Sequence, residues 1–167
     1  GKYLADFILV ALGETVMMDV HRDLAPELLK RLNMYRLRAD VQLTLSDNLV
    51  SCGQTNPPQG AITDPRHAQM GWRYYGADDL SQPNIDWDAL RIELGIPEYP
   101  NDLGPDSYIL EMGFERLNGV DFKKGCYVGQ EVTARMKHKT ELKKGLARFE
   151  FDETAPSTGE VVTQDGK

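Results

Sequence analysis

Two apolar runs, Phe7 to Leu12 and Thr15 to Val20, are separated only by Gly13-Glu14, which leaves the chain little choice but to double back. A two-residue loop with glycine first is a β-hairpin signal. Leu24, Leu28, Leu32 and Tyr35 then recur at helical spacing. Asp23 is placed to cap that helix, and Pro26 is tolerated in its first turn. The apolar face of this helix is expected to pack on a sheet. Val41, Leu43 and Leu45 alternate with Gln42 and Thr44, the pattern of a half-buried strand, and Leu49 to Cys52 returns after Ser46-Asp47-Asn48. Two strands, a helix and two more strands predict an α+β unit resembling a ferredoxin-like half.

Gly53, Pro57, Pro58, Gly60 and Pro65 mark a loop, followed by an expected strand from His67 to Tyr75. Asp86 is placed to cap a helix through Trp87, Leu90 and Leu94, stopped by Gly95 and Pro97. Asp106 opens a further helical pattern with Leu110, Phe114 and Leu117, which Asn118-Gly119 ends. Leu146, Phe149 and Phe151 predict the start of another strand. Cys52, ending an apolar strand, reads as a core residue. His67 reads as a surface residue, because it has no partner at metal-ligand spacing.

The chemistry concentrates in Lys123-Lys124-Gly125-Cys126-Tyr127-Val128-Gly129-Gln130-Glu131. Gly125 and Gly129 permit a tight turn or a close backbone approach. A helix is expected directly after Gly129, with Gln130 and Glu131 in its first turn and Lys137, His138 and Lys139 in its last. Cys126 then sits beside two lysines and ahead of a helix N-terminus, a setting that favours the thiolate. The same residues also fit a plainer reading, two turn glycines and a small packed cysteine.

Lys124 to Glu131, followed by Thr133-Ala134-Arg135, resembles the signature of the YgfZ-like folate-binding proteins. These are relatives of the glycine-cleavage T-protein (aminomethyltransferase) that act in iron–sulfur cluster assembly and tRNA modification. Supporting resemblance runs from Gly1-Lys2-Tyr3-Leu4-Ala5-Asp6-Phe7 to the segment after Lys144. It implies a T-protein-like folate-binding fold of α+β class, with the ferredoxin-like half and a helical segment leading into a truncated β-domain. The implied boundaries are a folate-binding region over 1–140, lacking its N-terminal part, and the start of a C-terminal β-domain over 141–167.

The resemblance also implies tetrahydrofolate, or a derivative, as cofactor. A pterin ring presents adjacent donors that one carboxylate can accept. Glu111, in Leu110-Glu111-Met112-Gly113-Phe114, is similar in setting to a T-protein glutamate that contacts the pterin. Lys124, Tyr127, Gln130 and Arg135 complete the expected folate-binding set, with Lys124 and Arg135 meeting the carboxylates of the folate tail. Asp6, in Ala5-Asp6-Phe7, resembles one of the T-protein's paired aspartates and is, with Cys126, the expected catalytic residue. Ala5 in place of the first aspartate, and Cys126 and Gln130 at the motif, depart from the T-protein pattern and argue against aminomethyl transfer. The implied task is assembly or repair of iron–sulfur clusters, with folate and iron–sulfur client or assembly proteins as partners. An active aminomethyltransferase and a folate-independent scaffold for cluster-carrying partners are the alternatives.

Composition narrows the classes. Of the 167 residues, 41% are hydrophobic and 27% charged, as in an ordinary globular protein. No apolar run approaches the roughly 20 residues of a membrane span, so no membrane partner is expected. Two distant cysteines and three scattered histidines offer no metal set. Sparse cysteine and the lack of a secretory pattern lead to an expected cytoplasmic location. The net charge of −7 is uneven, with eight Lys/Arg against two acids in residues 123–148. That basic stretch suits an anionic ligand or partner; without an RNA-binding signature, no direct nucleic-acid contact is expected.

Overall fold

The computed structural model describes residues 1–127, 129–138, 142, 144–152, 156–157 and 159–163. The hairpin forms as its spacing predicts. β1 (Phe7–Leu12) pairs antiparallel with β2 (Thr15–Val20), closing at Leu12↔Thr15 over Gly13-Glu14. Directly opposed residues share a face, so Phe7/Val20 and Leu9/Met18 make one apolar side, while Ile8/Asp19 and Val10/Met17 make the other. Val10 is buried, at 4% exposure.

Helix α1 (Ala25–Tyr35) follows, with Leu24 rather than Asp23 at its N-cap and no capping side chain. Its expected packing face is not buried: no residue of α1 is, and Tyr35 remains 62% exposed. The expected strand at 41–45 is also absent, and Val41 and Leu45 stay exposed. An alternating pattern supplies a face but no hydrogen-bond partner, and none is aligned here. The ferredoxin-like half is therefore not assembled. β3 (Leu49–Gly53) joins a second sheet of order β3-β5-β4, with β4 (Ile62–Thr63) and β5 (Trp72–Gly76), all antiparallel. The expected 67–75 strand is shortened at its start. His67 Nδ1 accepts the Gln69 amide and caps a single 3₁₀ turn over Ala68–Met70.

Helix α2 (Trp87–Glu93) is capped as expected, the Asp86 carboxylate accepting Ala89 N–H at 2.9 Å. Its Trp87 and Leu90, with Leu94, pack on a core of Met70, Ile96 and Leu117. The helical pattern from Asp106 does not form a regular helix. Met112 N–H reaches Tyr108 O, but Phe114 and Gly119 bond five residues back, to Ile109 and Phe114. Gly113 has φ +74°, which ends right-handed helix at that point. Leu110 and Leu117 are nevertheless buried, so the apolar spacing reported burial correctly and helix wrongly. The turns are joined to the chain start, where Tyr3 N–H donates to Ser107 O at 2.8 Å and Lys2 pairs with Asp106.

Helix α3 (Gln130–His138) starts directly after Gly129, as expected. Lys139 and the 140/141 boundary lie outside the described residues. Residues 144–152 form no strand, and Phe149 is 68% exposed. Among the described residues the architecture is mixed α and β, with two small sheets and three α-helices.

Candidate functional site

A cavity of about 760 Å³ opens where the start of β1, the end of β2, the turn at 64–66 and the segments 97–99 and 109–127 converge. Aromatic rings build one wall. Tyr99 meets His21 edge-on at 5.1 Å between centroids and lies stacked with Tyr3 at 6.4 Å. Tyr3 in turn tilts against Phe114 at 6.3 Å. Its hydroxyl donates to Asp6 Oδ1 at 2.7 Å, leaving Oδ2 without a protein partner among the described residues. Burial first, then this bond, raises the Tyr3 phenol, so it stays protonated as the donor.

Charge builds the opposite side. Asp19 of β2 accepts two donors from Arg73 of β5, Nη2 at 2.7 Å and Nε at 3.0 Å, plus the Tyr75 hydroxyl at 3.0 Å. Asp64, only 3% exposed, accepts Arg66 Nε and Nη2 at 3.0 and 2.8 Å and Arg73 Nη1 at 3.2 Å. Burial works against ionisation of Asp64, but the hydrogen bonds and charge of Arg66, with Arg73, hold it below the ordinary carboxylate range. Burial, with the Asp19 charge beside it, pushes Tyr75 up to about 12. Asp19, Arg66 and Arg73 all line the cavity.

Of the residues expected at a folate site, the cavity gathers Asp6, Lys124 and Tyr127. Lys124 Nζ lies over the Tyr127 ring, 5.1 Å from its centroid. Gln130 is not in the lining but holds Tyr127, its Oε1 accepting the Tyr127 amide at 3.1 Å. Glu111 is half-buried and outside the lining, with its backbone carbonyl taking Leu146 N–H. Arg135 is exposed on α3 and Cys126 is exposed before it, both outside the lining. Three residues separate Cys126 from Gln130, the first residue of α3. Gly129 carries the close approach expected of the motif, with φ +85° and a hypothetical Cβ 2.7 Å from Gly1 N. Gly125 has no positive φ and open space around it, so the close approach is made at Gly129 and not at Gly125.

The ionic wall was not anticipated. Its signal is present in the sequence: Asp19 is the lone acid in the apolar Val16-Met17-Met18-Asp19-Val20, and Arg73 the lone charge in Trp72-Arg73-Tyr74-Tyr75. A charge isolated inside an apolar strand requires a partner once buried.

No family model matches the chain. The mitochondrial iron–sulfur cluster assembly factor IBA57 of Mus musculus is 32% identical over 190 residues, covering 95% of this chain and 53% of that protein. Its Homo sapiens counterpart is 31% identical over 191 residues with the same coverage. A homologue from Neurospora crassa is 30% identical over 163 residues, covering 80% of this chain and 37% of its own length.

The chain belongs to the YgfZ-like family.

It spans about half the length of the curated relatives it matches. The expected cytoplasmic location is corrected by them, since these YgfZ-like relatives carry mitochondrial names. Low cysteine content reports a reducing compartment, and the cytoplasm is only one such compartment. Among the described residues, no helix is long and apolar enough to cross a membrane.

Proposed function

We propose that this protein binds tetrahydrofolate, or a derivative, in the cavity beside β1 and works in iron–sulfur cluster assembly or repair, including for a client that modifies tRNA. The observation that carries the reading is one cavity holding aromatic rings, a half-free carboxylate and guanidinium groups together. A volume of about 760 Å³ lies within the range of small-molecule sites. The donor set suits the molecule: a flat pterin lies against Tyr99 and Phe114, its amino-pyrimidine edge donates to Asp6 Oδ2, and basic groups receive its carboxylate tail. Asp6 thus takes the ring-reading role that the sequence assigned to Glu111. The T-protein-like fold belongs to the same reading. The names of the relatives support the cluster-assembly role.

The departures at Ala5, Cys126 and Gln130 favour binding without aminomethyl transfer. In this reading Cys126, exposed outside the cavity, meets a partner protein rather than the folate, which its exposure supports. Equilibrium dialysis of full-length protein against tetrahydrofolate tests the reading. Saturable one-to-one uptake is expected, and no uptake at millimolar ligand rejects it.

A further inference from the structure

We propose that Arg66 is the residue that anchors the ligand's anionic tail, and that buried Asp64 is the positioning residue that aims it. The assignment rests on the folate reading above and names the receiver of the tail carboxylate.

A carboxylate 3% exposed is stable only when its lone pairs are filled by donors. Asp64 Oδ1 accepts the Arg66 amide at 2.9 Å and Arg66 Nε at 3.0 Å, while Oδ2 accepts Arg66 Nη2 at 2.8 Å and Arg73 Nη1 at 3.2 Å. Arg66 is therefore gripped side-on, through backbone and guanidinium together. A guanidinium carries five donors in a planar fork. Asp64 uses one edge of it, and Arg66 Nη1 makes no hydrogen bond among the described residues. The side chain keeps 20% exposure on the cavity wall.

Arg73 is different. Its Nε and Nη2 go to Asp19 and its Nη1 to Asp64, so it is consumed in joining β2 to β5. Lys124 is a flexible point charge over an aromatic ring. Arg66 is the cation on this wall that is both held rigid and left with an open edge. Asn118 Nδ2 donates to Pro65 O at 2.8 Å and fixes the 64–66 turn to the wall that carries Phe114 and Leu117. A side chain already ordered loses little rotamer freedom when a carboxylate docks, which favours it as anchor.

The test titrates full-length wild-type protein and Arg66→Gln with tetrahydrofolate and with 6-methyltetrahydropterin, which has the ring but no glutamate tail. Arg66→Gln is expected to weaken tetrahydrofolate about tenfold or more, the loss of a charge-assisted contact, and to leave the tail-less pterin within about twofold. Arg66→Lys, which keeps the charge opposite Asp64, carries the same comparison if Arg66→Gln unfolds. Equal loss for both ligands, or unchanged tetrahydrofolate binding by a folded variant, overturns the anchor and leaves the folate reading standing. Wild-type protein that binds neither ligand overturns both.

Discussion

Gln130 closes back on Tyr127: its Oε1 accepts the Tyr127 amide at 3.1 Å, while the Tyr127 carbonyl accepts the Gln130 amide at 3.2 Å. The pair closes a turn ahead of α3, and it fixes the aromatic residue that the motif contributes to the cavity. Gln130→Ala is expected to cost about 1 kcal/mol in urea unfolding, as the loss of one hydrogen bond does. Amide exchange at Tyr127 should accelerate in the same variant. Unchanged exchange there would show that the side chain holds nothing.

Arg73→Ala strands Asp19, whose side chain is 14% exposed, and removes one of the donors to Asp64. Breaking one partner of a buried pair costs about 3–5 kcal/mol. Replacing both members, Arg73→Met with Asp19→Leu, is expected to cost clearly less than Arg73→Ala alone. A double variant at least as unstable as the single one would contradict the pairing.

How far the sequence was legible follows from the range of the interactions. The β1–β2 hairpin depends on Gly13-Glu14 and flanking residues, and α2 on Asp86 and Gly95; such local signals were readable. The strand expected at 41–45 was not formed because pairing is a property of two segments: Tyr75 lies opposite Val50, and among the described residues no strand lies opposite Val41. The ionic wall was unreadable as a unit for the same reason, since Asp19 and Arg73 are 54 residues apart. Within the candidate site, Lys124 and Tyr127 of the motif line the cavity, whereas Glu111, taken from its T-protein-like setting, lies outside the lining, on a segment where Gly113 interrupts the helical pattern.

Asp64 makes stability depend on pH with a definite sign. Its folded carboxyl is held below the ordinary value of 3.8, so its contribution is complete above that pH and is lost as pH falls through the folded value. Wild-type protein should therefore lose stability steeply below about pH 4. Asp64→Asn should be weaker at neutral pH and show a shallower acid limb. Parallel curves for the two proteins between pH 6 and pH 2 would remove Asp64 from the account.

The two cysteines are expected to differ in reactivity. Cys126 is exposed, whereas Cys52 is half-buried and burial pushes its thiol up. Iodoacetamide at pH 7, followed by peptide mass spectrometry, should modify Cys126 first and Cys52 only on unfolding. Equal rates in the folded protein would contradict the placement.

The central claim is that the cavity beside β1 holds the pterin through Asp6, and a crystal structure of full-length protein with bound tetrahydrofolate tests it most directly. The account predicts the ring against Tyr99 and Phe114, with its amino-pyrimidine edge about 2.7–3.2 Å from Asp6 Oδ2. A ring bound outside that cavity, or one read by Glu111 with Asp6 still bonded only to Tyr3, would contradict it.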